Sequence, residues 1–410
     1  MSLDFTVFGR TSNLNSNSPS WAASYSNSQP KAYLESQHLR DTTLAVFTSE
    51  IGGSFINRHI DDLLPGRTVA VARYCEIAQN GGFWEETCPV FFLDRWAVGL
   101  GVRLTRRLGV SESRLRDAAV ERFLRKNRVT VVLGEFLDQF VDFVPLLDRL
   151  GLPYVVQGHG IDLSAALRNP RMAERYLAYS SARAILTRCE FHRQRLIKLG
   201  LPESRISVNP GGVDIPAEQP QRAPEACKRF LAIGVMVPKK GPIYLLEAFR
   251  LAAAQDPNIT LDYIGDGPLF PAASQFVDAC GLTDRVHLHG VVSEETKQRL
   301  LRECGVFVQH SLTNPVTGDE EGLPAAIQEA MAHGMAVVST RHAGIPEAVE
   351  DGVTGWLVEE GDTRRMALAI LQSTLSASDM GAAGYRQARL KHSWFGEKSR
   401  LIRWLTSQLD

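Results

Sequence analysis

The chain has 410 residues, of which 44% are hydrophobic and 22% charged, and its formal net charge is -1. These values are typical of a globular protein of two or three domains, and the near-zero charge argues against nucleic acid as a partner. Because the sequence shows no signal-peptide pattern, no apolar run of membrane-spanning length and no C-x-x-C cysteine pair, we expect a cytoplasmic protein with reduced thiols.

The first 40 residues are rich in serine and asparagine, in the tract SNLNSNSPSWAASYSNSQ. Such a composition buries too little apolar surface to fix one conformation, so residues 1–40 are predicted to be a flexible arm. Trp21 and Tyr25 leave the alternative that this arm packs along the body of the protein.

A first strand is predicted at Leu44–Phe47, and a second follows at Thr68–Ala72 after a helical pattern from Ile56 to Leu64. Gly52-Gly53 predicts the glycine-rich turn that often separates a first strand from its helix. This turn either lies beside a ligand or is a tight turn that binds nothing.

An aromatic stretch from Gly81 to Leu100 precedes a segment, Arg103–Arg128, in which basic residues outnumber acids. The aromatic residues are Phe83, Trp84, Phe91, Phe92 and Trp96. Together the two segments predict a peripheral interface with anionic lipid or a lipid-linked substrate. The alternative is that the aromatic residues are core and the basic residues form a solvated helix face.

Two apolar runs, Val129–Gly134 and Pro153–Gln157, have the composition of buried parallel strands. Glu135 follows the first run, and His159, flanked by glycines and followed by Asp162, comes after the second. Open α/β sheets bind ligands at the carboxyl ends of their strands. Glu135 and His159 are therefore predicted at one ligand-binding edge, although a lone histidine is more often structural.

The rest of the chain continues the strand and helix alternation. A proline-rich stretch, Pro216–Pro224, predicts an interdomain linker. The remaining strands are predicted at Ala184–Thr187, Ile206–Val208, Phe230–Gly234, Thr260–Ile264, Val286–Gly290, Cys304–Gln309 and Ala336–Ser339. Two successive alternations joined by a linker predict two doubly wound α/β domains.

The most informative stretch runs from Asp319 to Glu350 and reads as loop, helix, strand, loop and helix. Pro324 suits a helix start and Gly334 a helix end. A second glycine turn, Gly344-Ile345-Pro346, opens another helix. Two helix starts thus lie at the ends of adjacent strands, where unpaired backbone N–H groups favour an anion.

Two acids are spaced around the first of these helix starts. Glu321 lies in the loop and Glu329 lies inside the helix. An ionised carboxylate is an acceptor that can take hydrogen bonds from adjacent sugar hydroxyls. A diphosphate at the amides of Gly322 and Leu323 would have one sugar on either side, so the pattern predicts a nucleotide-sugar site.

The runs Glu321-Gly322-Leu323-Pro324, Glu329-Ala330-Met331-Ala332, Gly344-Ile345-Pro346-Glu347 and Gly352 to Gly355 resemble the signature of family 4 retaining glycosyltransferases. The resemblance covers most of residues 43–410 and is strongest from 310 to 360. It implies the GT-B fold, two Rossmann-like domains facing across a cleft. The domains implied are 41–216 on the acceptor side and 217–387 on the donor side, with a crossover helix at 388–410 returning to the first domain.

The resemblance also implies roles for particular residues. The catalytic residues it implies are His159, Glu321 and Lys240. The donor-binding residues it implies are Gly234, Lys239, Lys240, Gly265, Asp266, Val291, Glu321, Gly322, Leu323, Pro324 and Glu329. The acceptor-side residues it implies are Gly52, Gly53, Glu135 and Asp162. For Val291, a buried valine without a ligand is the alternative, and Val235 stands where the family commonly has an arginine.

The implied reaction transfers a sugar from a UDP- or GDP-linked donor to a hydroxyl with retention at the anomeric carbon. It requires no cofactor, and no Asp-x-Asp pair suggests a metal. Similarity to transferases of bacterial surface polysaccharide assembly suggests a saccharide or lipid-linked acceptor, at the inner face of the membrane if the peripheral interface exists. The alternatives are a catalytically impaired nucleotide-sugar-binding partner, for which Val235 argues, and another retaining GT-B reaction such as a sucrose-type synthase.

Overall fold

The computed structural model describes residues 41–51, 54–75, 87–94 and 111–407, and these form two all-parallel β-sheets. The strands of the first sheet are β1 (Leu44–Ile51), β2 (Thr68–Cys75), β3 (Val90–Phe92), β4 (Val131–Glu135), β5 (Tyr154–Gln157), β6 (Ala184–Thr187) and β7 (Ile206–Val208). Those of the second sheet are β8 (Arg229–Ile233), β9 (Thr260–Ile264), β10 (Val286–Gly290), β11 (Val306–Val308), β12 (Ala336–Thr340) and β13 (Gly355–Val358).

Helices connect the strands and cover the sheets. Those of the first half are α1 (Ser54–Asp61), α2 (Glu112–Lys126), α3 (Leu137–Phe140), α4 (Val144–Leu150), α5 (Pro170–Tyr176) and α6 (Glu190–Lys198). Those of the second half are α7 (Pro242–Ala253), α8 (Phe270–Ala279), α9 (Glu294–Glu303), α10 (Ala325–Ala332), α11 (Ile345–Ala348), α12 (Thr363–Lys391) and α13 (Trp394–Thr406).

Both sheets are doubly wound. The strand order is β3-β2-β1-β4-β5-β6-β7 in the first and β10-β9-β8-β11-β12-β13 in the second. The direction of winding therefore reverses between β1 and β4 and again between β8 and β11. At such a reversal the connections leave in opposite directions and open a crevice at the carboxyl ends of the strands. The predicted α/β fold with two Rossmann-like domains is confirmed.

Inner strands such as β4 and β12 are buried because their sequences are rich in branched apolar residues, whereas the edge strand β10, VHLHG, alternates buried or half-buried residues with exposed ones. In β4, Val132 and Leu133 are fully buried, as are Val337 and Val338 in β12. Parallel strands covered by helices on both faces need apolar side chains on both sides, so these runs do not alternate with polar residues. This continuous pattern is what made the strands visible in the sequence.

The last two helices belong to different sheets. Helix α12 packs on β12 and β13, whereas α13 packs on β4 and β5 of the first sheet. The predicted crossover helix is therefore confirmed, but it begins at Trp394 and not at residue 388. Helix α12 ends before His392. The Ser393 hydroxyl caps α13 by accepting a hydrogen bond from the Gly396 N–H.

Strand β1 is longer than predicted and continues through Ile51. The strand was predicted to end at Phe47, but Glu50 pairs with Tyr74 of β2 and accepts a hydrogen bond from the Tyr74 hydroxyl at 2.9 Å. Gly52 and Gly53 lie outside the described residues, as does the predicted arm 1–40.

The aromatic and basic segments are described only in part, since Phe83, Trp84, Trp96 and residues 103–110 lie outside the described ranges. Phe91 of β3 packs against Phe123 of α2, with ring centroids 5.6 Å apart. Arg125 of α2 pairs with Glu121 one turn away. In this part the aromatic ring is core and the helix face is ion-paired, and contact with a lipid surface stays a prediction. None of the helices in the described ranges is both long and apolar enough to span a bilayer.

Candidate functional site

The loop before α10 holds Glu321 against two lysines. Lys240 Nζ lies 3.1 Å from Glu321 Oε2, and Lys239 Nζ lies 3.7 Å from Oε1 and 3.1 Å from Asp319. The lysines come from the turn after β8, next to the point where the second sheet reverses. Burial on its own would raise the pKa of Glu321, but the two ammonium groups lower it. The structure therefore brings Glu321, Lys239 and Lys240 together, and a catalytic role for them stays a prediction.

A series of hydrogen bonds that starts at His342, just after β12, fixes the backbone of Glu321. The Glu321 N–H donates to His342 Nε2 at 3.0 Å, so this histidine carries its hydrogen on Nδ1 and donates it to Glu360 at 2.6 Å. Glu360 in turn accepts a hydrogen bond from the Thr313 N–H at 2.9 Å. The loop that carries Glu321 is thereby tied to the ends of two strands.

Glycines bring three loops of the second domain together beside the lysines. Gly234 N donates to Ile264 O, and Gly265 N donates to Gly290 O. A Cβ on Gly265 would lie 2.0 Å from Gly234 O, and the φ of Gly265 is +141°, so no other residue fits there. This packing places the Gly234, Gly265 and Gly290 turns at one edge of the sheet.

The side chains around these turns face solvent. Val291 is 53% exposed and Val235 is 57% exposed, and Asp266 is exposed as well. The alternative of a buried Val291 is therefore wrong. An aliphatic group at Val235 supplies no charge to a phosphate, so the cations on this side are Lys239 and Lys240.

Glu329 lies on α10 with a cation of its own. Its Oε1 is 3.1 Å from Lys297 Nζ of α9. Burial on its own would lower the pKa of Lys297, but Glu329 and Glu294 raise it. The sequence indicated Glu329 and missed Lys297, which lies in an ordinary charged helix.

The Asp162 carboxylate fixes the backbone of the His159 loop. Asp162 is fully buried, and its carboxylate accepts hydrogen bonds from the N–H groups of His159, Gly160 and Leu137, each at 2.9 Å. Asp162 was predicted on the acceptor side; the structure shows that it shapes the His159 loop, and a contact with an acceptor stays a prediction.

Behind His159 lies a closed ring of charged side chains. Glu135 Oε2 meets His159 Nε2 at 2.7 Å, and Glu135 Oε1 meets His59 Nδ1 at 2.6 Å. His59 Nε2 lies 3.7 Å from Glu397, whose Oε1 accepts a hydrogen bond from Arg188 at 2.7 Å. Arg188 closes the ring at His159 Nδ1, 3.3 Å away. Glu135 was predicted on the acceptor side, and it is buried as a partner of the two histidines.

Burial opposes the charges of His59, Glu135 and Glu397, and neighbouring charges overcome it. Burial on its own would lower the pKa of His59, but Glu135 and Glu397 raise it to about 9. Likewise, burial would raise the pKa of Glu397, but Arg188 and His59 lower it to about 2. His59 is therefore an imidazolium at neutral pH.

This raised pKa predicts a loss of stability at alkaline pH. Since folded His59 holds its proton more tightly than the unfolded chain does, its contribution is complete below pH 6.5 and is lost as the pH rises through about 9. At about 1.4 kcal/mol per pKa unit, the loss in the free energy of unfolding is at most about 3 kcal/mol. Denaturant unfolding between pH 6.5 and 9.5 measures it. His59→Gln should flatten the profile, and an unchanged profile in that variant would contradict the assignment.

The two domains meet where the Glu321 and His159 loops touch. A Cβ on Gly322 would lie 2.4 Å from His159 O, and one on Gly160 would lie 2.9 Å from Glu320 O. Nearby, Glu347 of α11 accepts hydrogen bonds from the Glu190 and Phe191 N–H groups that begin α6. His159 and Glu321 therefore lie in adjacent loops on opposite sides of one cleft.

A pocket of about 370 Å³ opens at the carboxyl ends of β1, β2 and β4. It reaches Glu135, the carboxylate that holds His159. Its polar lining includes Thr48, Arg73, Glu112, Arg116, Gln139 and Asp142. The lining thus combines acidic, basic and hydroxyl groups, which suit a polyhydroxylated ligand more than an apolar one.

Sequence reasoning missed His59, Arg188 and Glu397. Each lies in a helix or loop without a motif, and Arg188 and Glu397 are 209 residues apart. Only the crossover of α13 brings them together. Within the described ranges, no group of three His, Cys, Asp or Glu side chains is arranged to hold a metal ion, and independence from metal stays a prediction.

Two sequence profiles of known families match the chain. The profile described as Glycosyltransferase Family 4 matches residues 92–216, and that described as Glycosyl transferases group 1 matches residues 215–386. The amylovoran biosynthesis glycosyltransferase AmsK of Erwinia amylovora is 30% identical over 284 residues, which are 67% of this chain and 69% of that protein. The chain belongs to the group 1 glycosyltransferases.

A second relative of this glycosyltransferase is the putative colanic acid biosynthesis glycosyltransferase WcaL of Escherichia coli K12. It is 32% identical over 236 residues, 57% of this chain and 58% of the length of WcaL. Among solved structures, Anabaena HepE in complex with UDP superposes with a TM-score of 0.70 at 18% identity, covering 90% of this chain and 100% of that one. This likeness shows that the glycosyltransferase has the GT-B fold.

Proposed function

We propose that the protein is a retaining glycosyltransferase that moves a sugar from a nucleoside-diphosphate sugar to an acceptor hydroxyl without a metal. The donor is bound by the second domain and the acceptor by the first. The proposal rests on membership of the family and on the geometry around Glu321.

The observation that carries the proposal is the state of the Glu321 carboxylate. Its Oε2 contacts Lys240, but its Oε1 is buried, lies 3.7 Å from Lys239 Nζ and has no hydrogen-bond partner among the described residues. A buried acceptor without a donor is costly, by about 1–3 kcal/mol. A sugar hydroxyl is a donor of the kind that this oxygen lacks, so Glu321 is suited to hold the transferred sugar.

The lysines next to Glu321 suit the leaving group. Negative charge grows on the diphosphate as the sugar–oxygen bond breaks, and fixed cations and N–H groups at that position lower the barrier. Lys240 and the backbone N–H groups of Gly322 and Leu323, at the start of α10, supply them. The Lys240–Glu321 pair holds both groups close together until the donor separates them.

Glu329 and His159 provide two further contacts with the donor, which follow from the positions of these residues. Glu329 accepts from the ribose hydroxyls with its charge balanced by Lys297. His159 lies across the cleft on the far side of the sugar, next to the pocket that ends at Glu135. No protein nucleophile is needed in this scheme, because the departing phosphate accepts the proton of the acceptor hydroxyl on the same face.

AmsK and WcaL are named for the biosynthesis of two polysaccharides. We therefore propose a saccharide or lipid-linked saccharide as acceptor, at the cytoplasmic face of a membrane. HepE binds UDP, which makes a UDP-sugar the first donor to test, followed by a GDP-sugar.

One observation favours a second function. Val235 is 57% exposed beside the lysines and brings no charge to the phosphates. A protein with this change would bind a nucleotide sugar weakly or without turnover and act as a partner of another transferase.

Thermal shift and titration calorimetry with UDP, GDP, ADP and their common sugars, each with and without EDTA, test the proposal. We expect one nucleoside diphosphate and its sugar to stabilise the protein selectively, with no effect of EDTA. Binding that requires a divalent cation would remove metal independence, and binding without turnover would favour the partner function. Absence of binding by every nucleotide would contradict the proposal.

A further inference from the structure

Both ring nitrogens of His159 are occupied by groups of the first domain. Nε2 lies 2.7 Å from Glu135 Oε2, and Nδ1 lies 3.3 Å from both Nε and Nη2 of Arg188. A guanidinium can only donate, so Nδ1 accepts and the hydrogen of the imidazole is on Nε2, where it is donated to Glu135. His159 is thus held in one tautomer and one orientation.

Arg188 depends on Glu397 for its own position. Its Nη1 donates to Glu397 Oε1 at 2.7 Å, and the exposed fractions of the two side chains are 9% and 3%. A buried guanidinium needs a carboxylate in fixed geometry, and without it the long side chain has other rotamers available. The contact of Arg188 with His159 therefore requires a residue of α13.

The same helix supports the other side of the imidazole. Glu135 is held by His59 at 2.6 Å, and His59 in turn meets Glu397 at 3.7 Å and stacks on the Trp394 ring with centroids 5.8 Å apart. In this ring of five side chains, His159 is the most exposed, at 12%, and the others lie behind it. Helix α13 thus contacts Arg188 directly and supports Glu135 through His59, so it acts on both partners of His159.

We propose that Glu397 and Arg188 are positioning residues for His159, so that the helix crossing back from the second domain completes the sugar-side wall of the active site in the first. Glu397 fixes Arg188, Arg188 keeps Nδ1 an acceptor, and the imidazole presents a constant edge to the transferred sugar. The catalytic effect of this arrangement rests on the proposed function of His159, whereas the tautomer of its ring does not.

The variants Glu397→Gln and Arg188→Lys test the proposal. Glutamine keeps the shape of Glu397 without its charge, and lysine keeps the charge of Arg188 without the two donors that reach Nδ1. We expect each to lower kcat by up to about 10²-fold, because a displacement of about 1 Å in a group beside the reacting atoms can cost that much. The KM for the donor should stay within about twofold, because the donor loops of the second domain are untouched.

A second readout is independent of activity. In protein labelled with ¹⁵N in the histidine rings, the His159 signals, assigned by their loss in His159→Gln, should show the Nε2–H tautomer. In Glu397→Gln and Arg188→Lys this signature should weaken towards exchange between tautomers. The control is Arg183→Ala, which removes the 2.5 Å hydrogen bond from Arg183 to Leu405 O, another tie of α13 to the first domain. It should change the melting temperature and leave kcat and the His159 signals alone.

The outcomes separate this proposal from the proposed function. Full transfer by His159→Ala would remove the histidine from the reaction and leave the tautomer measurement to decide the positioning role. Glu397→Gln and Arg188→Lys with wild-type kcat and wild-type His159 signals would overturn the positioning role itself. If Glu397→Gln fails to fold, Arg188→Lys decides by the same two readouts. Losses in both variants no larger than that in Arg183→Ala, with unchanged signals, would show a structural role only.

Discussion

Replacing Lys240 by alanine is expected to lower kcat/KM for the nucleotide sugar by about 10²–10³-fold, the usual loss when one fixed donor to a developing negative charge is removed. Lys240 contacts Glu321 at 3.1 Å and stands beside the start of α10. With an aliphatic Val235 nearby, Lys239 is the other cation that we place at the leaving diphosphate. The rate of nucleoside diphosphate release, measured with donor and acceptor, gives this ratio.

A matched control for this variant is Lys228→Ala. Lys228 also forms an ion pair, with Asp256 at 2.8 Å, but it precedes β8 at the opposite edge of the second sheet. It should lose no activity. A folded Lys240→Ala protein with the kcat/KM of the wild type would remove Lys240 from the phosphate site, and with it the cation on which the proposed mechanism depends.

Adding a single methyl group at Gly322 is expected to lower kcat by about 10²-fold, since a displacement of about 1 Å at a reacting group can cost that much. In Gly322→Ala the new Cβ would lie 2.4 Å from His159 O, so the Glu321 and His159 loops would have to separate. The backbone N–H of residue 322 remains. Donor binding should therefore change much less than turnover.

Kinetics and titration calorimetry on the same preparations measure this difference. Gly384→Ala is the control, because its Cβ would meet only ordinary contacts, the nearest at 3.7 Å with Met331 and Met335, and none with either loop. An unchanged kcat in Gly322→Ala would mean that the two loops do not need to touch during the reaction. A parallel loss of donor affinity would place the effect in the phosphate site and not in closure of the cleft.

Most of the fold was predictable because its signals are local. Strands β6, β7, β9 and β10 have the predicted bounds, since each is a short segment that carries branched or large apolar residues. The end of β1 was missed because Glu50 is polar, and its place in the sheet depends on Tyr74 of the neighbouring strand. Pairing of this kind is decided by the tertiary structure and leaves no trace in the strand's own sequence.

The candidate site likewise contains residues that the sequence could indicate and residues that it could not. Glu321 and Lys240 lie in glycine-rich loops whose spacing could be matched to a family, and the structure brings their side chains together. Asp162 could not be distinguished from a ligand-binding acid, because a carboxylate that caps backbone N–H groups has the same sequence signal. The role of Glu397 could not be predicted from the sequence, since it is one polar residue of an amphipathic helix and its partner Arg188 lies on another domain.

The crossover helix has a consequence for biosynthesis. The ion pair between Arg188 and Glu397 joins residues 209 positions apart, and at about 5–20 residues per second a ribosome needs about 10–40 s to bridge them. During that interval the emerging first half carries Arg188 without its carboxylate and His59 without the cover of Trp394. Its sheet can form during translation, but the ring of side chains around His159 is complete only when α13 leaves the exit tunnel.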